Sequence, residues 1–133
     1  MINKVIIRLA SNTSNVGLKN KYSHKISLKN STCGDKITLE LIADKKKISS
    51  MKYETVSCIY CEASASLLSR KIKNAKLKDI KNDFETLKKI SIKKNGKIPK
   101  RLSGFNKLLN SDNFNRFKCI FLPIDAVIKA LKL

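Results

Sequence analysis

The sequence predicts an α+β domain in which a three-stranded antiparallel sheet packs against several helices. Three observations predict it. Residues 24–29, 36–43 and 47–56 alternate apolar and polar side chains, the period of half-buried strands. After Val56 the apolar residues recur at three- and four-residue steps, the period of helices. The strands come first and the helices after, without the alternation of a βαβ chain. At 133 residues and 42% hydrophobic content, one domain over residues 1–133 is expected.

Each element follows from local pattern. Val5-Ile6-Ile7-Arg8-Leu9-Ala10 predicts a short N-terminal helix, ended by the turn-rich Ser11-Asn12-Thr13-Ser14-Asn15-Val16-Gly17. Ile26 and Leu28 share one face of the first strand, and Ile37, Leu39 and Leu41 share one face of the second. Asp44-Lys45-Lys46 is a hairpin connection to the third strand, and the outer face of the sheet reads as polar. Ala63, Leu67, Leu68 and Ile72 predict a helix over about 61–73, with the small residues 63–66 allowing close packing. Ile80, Phe84, Leu87 and Ile90 predict a second helix over 79–92. A loop is expected at 93–99, a short helix at 105–109 and a break at 110–113. Cys119 opens a last helix, regular over 122–131, with Pro123 in its first turn. With no Trp, 5 Phe and 3 Tyr, the core must be mainly aliphatic.

Charge and hydropathy narrow the function. Lys and Arg number 29 against 10 acids, a formal charge of +19. Such a surface attracts polyanions in general. The cations are almost all Lys and lie along the whole sequence, whereas nucleic-acid readers lean on Arg and on aromatic residues. The excess is therefore read as compositional drift, with nucleic acid not expected as a partner and an acidic protein partner as a lesser reading. No stretch reaches the roughly 20 apolar residues of a membrane span, and the start lacks a signal-peptide core. The chain is expected to be cytoplasmic, with no membrane partner.

The four cysteines, Cys33, Cys58, Cys61 and Cys119, point to a metal site or reactive thiols rather than disulfides. Cys33-Gly34-Asp35 sits in the break between two strands, where a thiol and a carboxylate flanking a Gly can turn to one point. Cys58 lies where the third strand hands over to a helix, a position whose free N–H groups favour thiolate. Cys119, with Arg116 three residues before it, enters the final helix. These edge positions let Cys33, Asp35, Cys58 and Cys119 converge at one end of the sheet as a four-ligand site. Cys61, one turn beyond Cys58, is read as a small buried residue or as a substitute ligand. His24, the one histidine, reads as an exposed strand-edge residue.

The resemblance that these motifs carry is specific. Cys33-Gly34-Asp35-Lys36-Ile37-Thr38-Leu39 resembles the C-G-D-x-I-x-L segment of the SufU/IscU/NifU N-terminal family of iron–sulfur cluster assembly proteins. Residues 57–68, from Ser57-Cys58-Ile59-Tyr60-Cys61 onward, resemble its G-C-x-I-S-x-A-S-A-S helix start. Arg116-Phe117-Lys118-Cys119-Ile120-Phe121-Leu122-Pro123 resembles its R-x-K-C-x-x-L-P/A ending, and 12–17 is similar to its N-P-x-N-x-G turn. Ser57, Thr13 and Cys61 depart from the pattern. The 61-residue separation of Cys58 and Cys119, and Arg116 where IscU-type chains carry His, are closest to SufU.

That resemblance implies zinc held by Cys33, Asp35, Cys58 and Cys119, and a cysteine desulfurase partner that delivers persulfide sulfur to Cys33, in the manner of a sulfurtransferase. The IscU-type alternative implies a non-enzymatic scaffold for iron or a [2Fe–2S] cluster, with Cys119 as the acceptor. Either implies delivery to a downstream scaffold or apoproteins, and gives Arg116 a supporting role beside the thiolates. Two rivals from other classes are a basic nucleic-acid-binding module with structural zinc and a thiol oxidoreductase using Cys58 and Cys61.

Overall fold

The computed structural model describes residues 4–31, 33–93 and 97–133, with the backbone alone for 92 and 93. Helix α1 (Lys4–Ser11) leads into three strands, β1 (His24–Lys29), β2 (Lys36–Ala43) and β3 (Ile48–Val56), and then α2 (Ile59–Lys71) and α3 (Leu77–Lys93). Three single 3₁₀ segments, Lys100–Leu102, Phe105–Lys107 and Ser111–Arg116, carry the chain to α4 (Phe117–Leu131). The sheet is antiparallel in the order β1-β2-β3. Among the described residues no helix is long and apolar enough to cross a membrane.

Alternation gives the sheet one apolar face. Ile37, Leu39 and Leu41 of β2 and Met51 and Tyr53 of β3 are buried against the helices. α2 is central: Tyr60, Cys61 and every residue from Ala63 to Ser69 are buried, because α1, α4 and β3 pack on it from different sides. Its small residues admit that approach, and the buried hydroxyls find partners. Ser64 Oγ donates to the Ile120 carbonyl at 2.5 Å, Ser66 Oγ to Asn12 and Ser69 Oγ to Ser66. α3 turns Ile80, Phe84 and Leu87 inward and is tied to α4 by a Lys88–Asp125 ion pair.

Three expectations change. α4 starts at Phe117, so Pro123 is its seventh residue rather than part of its first turn. Proline cannot donate to the Cys119 carbonyl, yet the helix continues because its residues from Cys119 to Ile124 are buried on neighbouring elements. The expected break at 110–113 is instead the start of a 3₁₀ segment, because Asn110 Oδ1 accepts the Asp112 N–H at 3.0 Å. The short helix expected at 105–109 is a 3₁₀ turn over Phe105–Lys107. Residues 94–96, inside the expected 93–99 loop, lie outside the described residues.

The 12–23 segment is more than a connection. Gly17 N–H donates to the Tyr53 carbonyl at 2.8 Å and Tyr53 N–H to the Asn15 carbonyl at 3.1 Å, which lays the segment along the outer edge of β3. It then crosses the outer face of the sheet, where the Glu40 carboxylate accepts the N–H groups of Lys19 at 2.7 Å and Asn20 at 3.2 Å. Glu40 is thereby buried on the face that reads as polar.

Candidate metal centre

The residues expected at one end of the sheet are placed there by three segments, the β1–β2 loop and the starts of α2 and α4. Cys33 and Asp35 lie on the β1–β2 loop, which is closed by Asn30 N–H to the Asp35 carbonyl and Gly34 N–H to the Asn30 carbonyl, both at 2.7 Å. Gly34 has φ +77°, a conformation that glycine adopts without strain, and this sets Cys33 and Asp35 on the same side of the turn. Cys58 is the N-cap of α2, directly after β3. Cys119 lies in the first turn of α4, held against α2 by the bond from Ser64 to Ile120.

Ligand atoms of Cys33, Asp35 and Cys119 lie within 4.8 Å of one another. The Sγ atoms of Cys33 and Cys119 are 3.4 Å apart. Cys58 joins through the carboxylate: its N–H donates to Asp35 Oδ1 at 3.1 Å and its thiol to Oδ2 at 3.3 Å. Asp35 is buried, and burial alone would raise its pKa. The bonds from the Cys58 thiol and N–H, and from Cys119 and Cys33, outweigh burial and hold the carboxyl below its usual range. Burial, the bonds to Cys33, Cys58 and Asp35, and the charge at Cys58 push the Cys119 thiol far up. Three thiols and a carboxylate this close cannot all be anionic without a cation among them. This soft, mixed donor set suits zinc or iron.

Arg116 is exposed, with its guanidinium 5.6 Å from the centre of the Tyr60 ring in the first turn of α2. Tyr60 had no signal in the sequence as a platform for that cation, nor did Ser64 as the clamp on α4. Cys61 does not join the group. It is fully buried in the apolar core, and burial pushes its thiol up to about 12, with the Cys58, Cys33 and Asp35 charges adding to the rise. A thiol so protonated is a poor partner for a Cys58–Cys61 redox pair. Alkylation at pH 8 is expected to modify Cys33 and to leave Cys61 unlabelled until urea is added, as peptide mass spectrometry would read. The pH dependence follows with its sign. An unfolded-chain thiol ionises near about 8.5, so the contribution of buried Cys61 to stability is complete below that pH. It is lost as pH rises towards about 12. His24 is half-buried on β1, its Nδ1 2.8 Å from Ser23 Oγ and remote from the cysteines in the register.

The profile of the NifU-like N terminal domain matches residues 1–103, which include Cys33, Asp35 and Cys58. Cys119 lies beyond the matched stretch and reaches the site through α4. The chain is 34% identical over 110 residues to the iron–sulfur cluster assembly scaffold protein IscU of Thermotoga maritima, covering 78% of this chain and 73% of that protein. Its fold is similar to that of a nitrogen-fixing NifU-like protein (N-terminal) from Brucella abortus, with TM-score 0.86 at 20% identity, over 98% of this chain and 91% of that one. A putative iron–sulfur cluster assembly scaffold protein for the SUF system from Fervidobacterium islandicum has TM-score 0.86 at 20% identity, over 98% and 96% of the two chains. The chain belongs to the family of the NifU-like N-terminal domain.

Proposed function

We propose that this protein works in iron–sulfur cluster assembly as an acceptor of persulfide sulfur from a cysteine desulfurase, in the manner of SufU, with Cys33 as the accepting thiol. The exposure of Cys33 carries this reading. It is the exposed thiol of the four, at the tip of a closed loop, whereas Cys119 and Cys61 are buried and Cys58 is partly covered. In the transfer, the Cys33 thiolate attacks the outer sulfur of the enzyme's cysteine persulfide. The S–S bond to the enzyme breaks, the enzyme's thiolate leaves, and Cys33 carries the persulfide.

Zinc would be held by Cys33, Asp35, Cys58 and Cys119, and when bound it keeps thiols deprotonated and shielded from oxidation. Asp35 positions Cys58 by taking both its N–H and its thiol. Arg116, exposed beside Tyr60, offsets part of the negative charge that the donor set brings together. Sulfur then passes to a downstream scaffold or to apoproteins.

A second reading has an observation in its favour. The 34% identical relative from Thermotoga maritima is named a scaffold. In that reading iron and sulfide are cargo assembled as a [2Fe–2S] cluster at the same residues, and Cys119, 3.4 Å from Cys33, is the alternative acceptor.

One experiment separates the two. The purified chain and its Cys33→Ser, Cys119→Ser and Cys61→Ser variants are given to a cysteine desulfurase with cysteine, and alanine release is followed. The parent and Cys61→Ser are expected to accelerate release. Cys33→Ser is expected to return the rate to that of the desulfurase alone. Loss in Cys119→Ser with retention in Cys33→Ser, together with a coloured cluster after reconstitution with iron, favours the scaffold. No acceleration by the parent and no bound metal sinks both.

A further inference from the structure

The lysines are dispersed along the sequence, but the fold gathers six of them at the end of the sheet away from the cysteines. The β2–β3 hairpin and the α2–α3 loop are joined by backbone bonds. Ile48 N–H donates to Ala75 at 2.9 Å, Asn74 N–H to Ile48 at 2.7 Å and Leu77 N–H to Lys46 at 2.8 Å. Lys47 faces Lys76 across an antiparallel bridge. Segments 45–47 and 73–78 therefore run side by side at about 4.8 Å, the spacing of paired strands. Lys45, Lys46, Lys47, Lys73, Lys76 and Lys78 are all exposed.

Of the nearby acids, Asp44 lies within the pole, where its Oδ1 accepts the N–H groups of Lys46 at 2.7 Å and Lys47 at 2.9 Å, whereas Asp79 is turned to Arg101 at 3.4 Å. Like charges directly opposite on paired strands work against the fold. The Lys47–Lys76 pairing is thus a cost to stability that a ligand of opposite charge would relieve.

Residue types select among polyanions. Neither segment contains an Arg or an aromatic residue, so nothing here reads a base edge or stacks on a base. Protein interfaces are depleted in Lys and anchored by aromatic residues, Met and Arg. Exposed ammonium groups on two paired backbone segments suit the phosphates of a polyanion. We propose that this lysine pole binds the phosphate backbone of duplex nucleic acid without regard to sequence. The pole and the metal centre lie at opposite ends of β2, where Ala43 pairs with Ile48 and Lys36 with Val56. At about 3.3 Å per residue the two ends are about 23 Å apart. Binding at the pole leaves the thiols open, and the proposal stands apart from the sulfur-transfer reading.

The test is fluorescence anisotropy with a labelled duplex of mixed sequence, about 20 base pairs long, over a range of salt. With six phosphate contacts, the slope of log K against log salt is expected to be about −5. The variant K45Q/K46Q/K47Q/K73Q/K76Q/K78Q is expected to bind at least about thirtyfold more weakly near 0.1 M salt, with a flattened slope. A charge-matched control at exposed positions elsewhere, K4Q/K19Q/K21Q/K107Q/K129Q/K132Q, is expected to stay within about threefold of the parent. The smaller variant K45Q/K47Q/K76Q is expected to lose about half as much on the logarithmic scale, and circular dichroism checks that each chain is folded. Equal losses in pole and control variants overturn the proposal, as does an absence of binding by the parent. Competition by polyglutamate at equal charge concentration also overturns it, because the surface then serves an acidic polypeptide.

Discussion

Asp35→Ala is expected to lower zinc affinity by at least about 100-fold, the upper end of what loss of a residue supporting a metal site costs. The effect is large because Asp35 has two jobs. It is one of the donors within 4.8 Å of the others. Its oxygens also take the N–H and thiol of Cys58, at 3.1 and 3.3 Å, so alanine frees the fourth predicted ligand as well. The half-buried Cys58 N–H left unpaired adds to the loss, by less than the roughly 1–3 kcal/mol of a fully buried donor. Asp35→Asn keeps an acceptor for the Cys58 N–H and removes the charge, so comparing the two separates geometry from electrostatics. Competition against a chelating dye measures both. Zinc held by Asp35→Ala as tightly as by the parent would remove Asp35 from the ligand set.

The second large effect is on stability and lies on the opposite face of the sheet. Glu40→Ala is expected to lower the free energy of unfolding by about 3 kcal/mol, the scale set by losing charge-assisted bonds and orphaning their donors. Tm should fall by about 10 °C. Glu40 accepts from Lys19 and Asn20 and has Lys25 Nζ at 3.7 Å, so its loss frees the Lys19–Asn20 part of the 12–23 segment from the sheet. Glu40→Gln, which keeps an acceptor without the charge, is expected to lose about half as much. Urea unfolding of the three proteins provides the check. Equal stability in all of them would mean that the segment is held by its other bonds, those to Tyr53 and Leu41 among them.

Glu40 also shows where sequence reading stops. The bounds of β1 and β2 were legible because alternation is local, and alternation placed Glu40 correctly on the outer face. That this face is covered at Glu40 depends on a segment about twenty residues earlier, which no periodicity reveals. The same holds for Lys47 and Lys76, remote in sequence and paired in space. The meeting of Cys33, Asp35 and Cys119 was legible because each residue sits at the edge of an element, and edges can be read from turn residues. For Cys61 the sequence offered a small buried residue or a substitute ligand, and burial bears out the first, since a cysteine one turn into a helix faces core or site according to how α1 and α4 pack around it. Pro123 misled for a related reason: local propensity sets the helix start near proline, and tertiary burial moved it to Phe117.

The way β3 is bordered has a consequence for self-association. A strand at the margin of a sheet offers unpaired N–H and C=O groups to which another copy can add, the first step towards fibrils. Here β3 is occupied at two places, by Asn15 and Gly17 on Tyr53 and by Asn74 and Ala75 on Ile48, leaving only short open stretches. At the other margin, β1 points Lys25 and Lys29 outward, and their charge disfavours a second identical strand alongside. The sheet, small as it is, is thereby guarded against edge-to-edge aggregation.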